Sequence, residues 1–95
     1  MTTWWRSHEE ETGPVRVYRP EGFPFPPARG REGFALHPDG RFDHLGPGRG
    51  DRPVVTAGTW ERDGDRITAH VDGRRIDLDV VEETADVLRA HWRVG

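Results

Sequence analysis

The chain contains no cysteine and no lysine. Without cysteine there is no disulfide to brace a small fold, no thiol nucleophile and no Cys-ligated zinc. Without lysine, all 14 basic residues are arginine, a cation that stays charged and grips carboxylates and phosphates through paired N–H bonds. GC-rich codon usage produces the same bias and also enriches Gly, Ala, Pro and Asp. The bias runs along the whole chain rather than through one motif, which favours that origin. Long apolar runs are missing as well. No stretch approaches the roughly 20 residues of a membrane helix, and the amino terminus shows no charged segment followed by an apolar one, as a secretion signal would. The expectation is a cytoplasmic protein with no membrane partner.

Hydrophobic residues make up 33% of the 95-residue chain, and the mean hydropathy is −0.85. One domain over residues 1–95 follows, with a thin core, since a chain of this size buries only about 60–65% of its unfolded surface. The net charge is −3, from 14 basic and 17 acidic residues. The two signs are interspersed, which argues against a nucleic-acid surface.

What is present is punctuation. Asp39-Gly40, Asp63-Gly64 and Asp72-Gly73 each stand between runs that alternate apolar and polar residues. Asp-Gly accepts the positive φ of tight hairpin turns. Taking Asp63-Gly64 as a two-residue turn sets Trp60 opposite Ile67, Glu61 opposite Arg66 and Gly58 opposite Ala69. Asp72-Gly73 sets Ile67 opposite Leu78, Ala69 opposite Ile76 and Arg66 opposite Asp79. A looser turn from Glu82 to Asp86 pairs Val81 with Val87, Val80 with Leu88, Leu78 with Ala90 and Ile76 with Trp92. One face then carries Trp60, Ile67, Leu78 and Ala90. The other carries Glu61, Arg66, Asp79 and Arg89, most simply a solvated outer surface. At the first pair a three-residue turn, Pro38-Asp39-Gly40, opposes Leu36 to Phe42 and Phe34 to His44. That register turns His44 to the apolar face and His37 away from it.

Strands are expected near residues 3–9, 14–19, 33–37, 41–45, 54–61, 66–72, 74–81 and 87–94, with no helical period anywhere. Many short strands with regular turns predict an all-β fold, a small antiparallel up-and-down meander closing into a barrel of about eight strands.

Two segments break the meander. Residues 20–32, PEGFPFPPARGRE, carry prolines that cannot donate to a sheet. Three readings stand: a strap packing Phe23 and Phe25 over a barrel end, a lid in which Arg29 and Arg31 meet an anionic ligand, or a proline-rich ligand for another domain. Residues 46–53, GPGRGDRP, have the glycines of a phosphate loop but no following Gly-Lys-Ser/Thr and no helix start. The Arg49-Gly50-Asp51 triplet reads as a loop.

The five histidines show no zinc spacing. No metal and no cofactor is expected. His8 lies beside Glu9, Glu10 and Glu11, the ingredients of acid–base chemistry, although strand alternation would separate His8 from Glu9. The plainer reading is an exposed acidic strand end. His44 faces the interior, either as a core histidine with a polar partner or as a functional one.

Phe42, the run Gly58-Thr59-Trp60, the Asp63-Gly64 hairpin and the strands to Trp92 together resemble small bacterial lipocalin-like, calycin-type barrels of the META and copper-stress lipoprotein kind. The resemblance covers residues 34–94. Lipocalins proper carry Gly-x-Trp on the first strand, with an arginine of the last strand packed on the tryptophan; here the motif falls on about the fifth strand.

The expected function is binding of a small organic molecule in or at one end of the barrel. Phe34, Leu36 and Phe42 would form an apolar wall, Arg6, His8, Tyr18 and His44 the polar contacts, and Arg29 and Arg31 the cover of the mouth. Two alternatives remain. One is a cofactor-free enzyme of secondary metabolism, an isomerase, cyclase or hydrolase using His8 with Glu10, or His44. The other is a homodimeric interaction module.

Overall fold

The computed structural model describes residues 2–27, 30–46 and 54–95. Eight strands form: β1 (Thr3–Arg6), β2 (Arg16–Pro20), β3 (Gly33–Leu36), β4 (Arg41–Gly46), β5 (Val54–Asp63), β6 (Arg66–Val71), β7 (Arg74–Glu83) and β8 (Leu88–Val94). They close into one antiparallel barrel whose ring order is β1-β2-β8-β7-β6-β5-β4-β3. The all-β, eight-stranded barrel is therefore the fold that alternation and turn spacing imply. Strands β3 to β8 run as a meander. The β1–β2 hairpin then closes the ring with β2 against β8 and β1 against β3.

That closure gives the proline-rich segment its task. Strands β2 and β3 point the same way with β1 between them, so the end of β2 and the start of β3 lie at opposite ends of β1. The crossover is tied to β1 at both ends: Glu21 N donates to Thr3 O at 2.9 Å, and Arg6 N donates to Glu32 O at 2.8 Å. Between these ties the Phe23 and Phe25 rings meet edge-on at 4.8 Å. Arg19 lies 5.0 Å over Phe23, and Arg31 lies 4.4 Å over Phe25.

The turns decide the registers. Asp72 and Gly73 both have positive φ, 53° and 73°, the signature of a type I′ turn. The β6–β7 register is accordingly the expected one, with Ile67 opposite Leu78 and Ala69 opposite Ile76. The three-residue turn after Leu36 also stands, with Leu36 opposite Phe42 and Phe34 opposite His44.

The β5–β6 turn differs. Asp63 pairs with Arg66, so the turn residues are Gly64 and Asp65, and Trp60 faces Ala69 rather than Ile67. Gly64, at φ 61°, occupies the first turn position, where a type II′ turn wants glycine. At β7–β8, Leu78 faces Trp92 and Ile76 faces Val94, while an irregularity between Val80 and Glu82 absorbs the offset. Thr84 Oγ1 accepts from the backbone N–H groups of Asp86 and Val87, which builds the turn later than Val81–Val87 pairing would require. Up to the irregularity the revised registers differ by an even count, so the apolar set stays inside.

The interior is packed from one end. Tyr18, Phe34, Phe42, Ile67, Leu78 and Leu88 are all at most 1% exposed. Each such side chain contributes about 1.5–3 kcal/mol by burial, so the core outweighs surface pairs worth about 0–1 kcal/mol each. Trp60 packs against this core at the end formed by the 38–40 and 64–65 turns, where its indole N–H donates to His37 O at 2.8 Å. Outward positions carry ion pairs, such as Arg66–Asp79 at 2.9 Å and Arg75–Asp77 at 3.1 Å. Among the described residues no helix is long and apolar enough to cross a membrane.

Candidate functional site

The opposite end of the barrel is open. It is formed where β1, β4, β6 and β8 finish and where β2, β3, β5 and β7 begin. A cavity of about 280 Å³ lies there. Val71, Ile76, Trp92 and Val94 supply its apolar wall; Arg16, Glu32, His44 and Thr56 supply its polar one. Asp72 and Arg74, beside the β6–β7 turn, complete the lining.

Strand alternation puts these groups inside. Arg16 shares a face with Tyr18, Glu32 stands two residues before Phe34, His44 two after Phe42, and Trp92 two after Ala90. The same alternation that fills the far end with apolar side chains thus delivers polar ones to the mouth.

Glu32 is the hub. Its Oε1 accepts from Arg16 Nη1 at 2.7 Å and from Arg6 Nη1 at 3.1 Å. Arg16 Nη1 also donates to the Tyr18 hydroxyl at 3.3 Å, and the Arg16 guanidinium lies 4.6 Å over the Trp92 ring. Glu32 Oε2 stands 3.9 Å from His44 Nε2. Behind this, Arg6 grips Glu11 through two bonds, Nε to Oε2 at 3.0 Å and Nη2 to Oε1 at 2.8 Å, and Val17 N donates to Oε2 at 3.1 Å. The Arg6, Arg16 and Glu32 side chains are 29%, 24% and 28% exposed. Water therefore screens the pairs in part, and the network acts mainly to hold its members in place.

Burial pushes the Glu11 carboxyl up, but the Arg6 and Val17 hydrogen bonds outweigh it and leave the group below its ordinary range. On the outer surface the Arg31 hydrogen bonds draw Glu9 down to about 2, and the Arg19 bonds do the same for Glu10. Folded values below unfolded ones mean that these carboxylates stabilise the fold fully above pH about 4.5 and lose that contribution as pH falls toward about 2. Thermal melting temperature should therefore drop across that window. Glu11→Gln should lower stability at pH 7 by about 1–2 kcal/mol and flatten the acid slope. An unchanged slope would show that Glu11 does not carry it.

Tyr18, the only tyrosine, is pushed up to about 12, chiefly by burial, against the opposing pull of Arg16. The phenolate absorbance near 295 nm should reach only about a tenth of its full value at pH 11 while the barrel remains folded. A midpoint near pH 10 in folded protein would place Tyr18 in water.

Of the residues expected at a site, His44 lines the cavity, and Arg6 and Tyr18 reach it through Glu32 and Arg16. Phe34 and Phe42 are wholly buried and fill the barrel beneath the cavity rather than lining it. Leu36 lies at the closed end of the barrel, beside the 38–40 turn. His8 sits on a 3-10 turn, His8–Glu10, and is 53% exposed with Glu9 at 3.6 Å. The expected strand ends at Arg6 because Ser7, 1% exposed, turns the chain: its N–H donates to Val17 O at 2.7 Å and its hydroxyl to Glu10 at 2.7 Å. Glu10 is held by Arg19. Arg31 is engaged away from the cavity by Glu9 at 2.7 Å, by Phe25 and by the Arg6 and Pro26 carbonyls. Arg29, Arg49 and most of the 46–53 loop lie outside the described residues.

Sequence reasoning missed Arg16, Glu32, Thr56 and Trp92. The signal for the first two was available: extending the Tyr18 and Phe34 alternations by one step reaches them. No group of three or more metal-ligating side chains occurs among the described residues. Comparison with protein-family models, with curated proteins and with solved structures finds no match to this chain.

Proposed function

We propose that the protein binds a small organic molecule in the cavity at the open end of the barrel. The carrying observation is the arrangement of the mouth: an apolar wall with Trp92 faces polar side chains that Glu32 holds in position before any ligand arrives. Preformed concave sites with a few convergent polar groups are where small ligands bind. A closed antiparallel barrel of eight strands with a site at one end also supports a lipocalin-like relationship. Trp60, the tryptophan of the Gly-x-Trp run, closes the other end, though among the described residues the arginines that stack on rings do so at Phe23, Phe25 and Trp92.

Native mass spectrometry of the purified protein tests this reading, followed by a thermal-shift screen of small aromatic and aliphatic compounds. The expected result is a retained mass or a stabilising compound whose effect disappears in Ile76→Trp, which fills the cavity. Stabilisation that persists in that variant would place binding elsewhere.

A second reading is proton-transfer catalysis without a cofactor. The observation favouring it is His44 beside Glu32 in the same cavity. With His8 exposed on the outer surface and Glu10 engaged by Arg19, that reading rests on His44. Turnover of a bound compound that survives His44→Ala would remove it.

A further inference from the structure

We propose that the Glu32–His44 edge of the cavity recognises a hydroxyl group on an uncharged aromatic ligand, so that the ligand class is a phenol. The proposal rests on the cavity being the ligand site.

Glu32 presents two different oxygens. Oε1 is taken by two guanidinium donors. Oε2 has His44 Nε2 as its neighbour at 3.9 Å, too long for a hydrogen bond between them. The gap suits a third atom. An oxygen about 2.8 Å from each completes a triangle with an angle near a right angle at that oxygen. A carboxylate only accepts, so the inserted group must donate to Oε2. An imidazole Nε2–H then donates to the same group. A hydroxyl does both at one atom; an ether, a ketone or a carboxylate does not.

Charge narrows the class. Arg6 and Arg16 are paired with Glu11 and Glu32, and the formal charges of the cavity lining, Arg16 and Arg74 against Glu32 and Asp72, sum to zero. A ligand with its own fixed charge would give up solvation without meeting a net opposite charge. The remaining wall, Trp92 with Val71 and Ile76, suits a flat apolar body. A volume of about 280 Å³ keeps that body to about one substituted ring, since it lies at the small end of ligand pockets. A phenolic O–H is also a stronger donor than an alkyl one, which matches an ionised acceptor.

Calorimetric titration of the full chain at pH 7.5 with three probes of one shape tests the proposal: 4-ethylphenol, 4-ethylanisole and 4-ethylbenzoate. The phenol should bind at least about tenfold more tightly than either of the others, because loss of one hydrogen bond in a built site costs that much or more. His44→Ala and Glu32→Gln should each bring the ratio of phenol to anisole affinity down to about one. His44→Gln, which keeps an N–H donor, should recover part of the preference. Should Glu32→Gln fail to fold, the wild-type probe series and the His44 variants still decide. Equal binding of all three would overturn the hydroxyl reading and leave the cavity as a ligand site. Tightest binding of the benzoate would overturn it in favour of an anion site on Arg16. No binding of any probe at millimolar concentration would remove both this proposal and the cavity reading beneath it.

Discussion

Gly58→Ala should destabilise the barrel by about 3 kcal/mol or more, a loss of roughly 12–24 °C in melting temperature for a domain this small. Gly58 begins the Gly-x-Trp run on β5 and faces Val71 on β6. A methyl group there would collide with the His70 carbonyl oxygen and come within 2.8 Å of Val71 Cγ2. The first obstacle is backbone, so relief requires parting two strands in a ring that has no free edge. The neighbouring substitution Thr59→Ala, on the outward face, should change stability by less than about 0.5 kcal/mol. Urea denaturation of both variants checks the pair. Similar midpoints would show that β5 and β6 do not approach as described.

Phe34→Ala should cost about 3–5 kcal/mol. Phe34 is fully buried and central to the aromatic cluster, with Tyr18 at 4.9 Å, Phe42 at 5.7 Å and Trp92 at 6.2 Å. Truncation would open an apolar void directly beneath the mouth. Dry apolar voids of that size take up benzene, so benzene should raise the melting temperature of the variant more than that of the wild type. A loss below about 1 kcal/mol by denaturant titration would mean that the barrel collapses around the missing ring. It would also mean that the floor of the cavity is not rigid.

The fold was legible because its rules are local. Alternation and turn chemistry act over a few residues, and they account for eight strands, an apolar interior and two of the four hairpin registers read from the sequence. Where the reading slipped, a second local option competed. Asp63-Gly64 and Gly64-Asp65 both make acceptable two-residue turns, and Thr84 recruits two backbone N–H groups that an alternation pattern does not record. Neither slip exposed the core, because both moved the pairing by an even count through the apolar stretch.

The ring closure was harder to see. Nothing in the pattern of β1 or β2 states that β1 lies between β2 and β3, since that depends on which edges meet after the meander has curled. The candidate site was half visible for a related reason. His44 followed from the hairpin at Pro38-Asp39-Gly40, and Arg6 and Tyr18 were named with it as polar contacts. Glu32 stood at the end of a proline-rich segment and was read with that segment instead of with Phe34. His8 and Arg31 were drawn toward the mouth by their chemistry. In the folded chain that chemistry is spent on the outer surface, where Glu9, Glu10, Arg19 and Arg31 fasten the 3-10 turn and the crossover.

Nitrogen–proton correlation spectra recorded while 4-ethylphenol is titrated into labelled protein test the central claim most directly. The cavity account predicts saturable shifts at the Arg16 and His44 amides and at the Trp92 indole, with the Trp60 indole and the Leu36 and Leu88 amides unmoved. Shifts centred on Trp60 and Leu36, or scattered over the outer strand faces with the mouth silent, would contradict it.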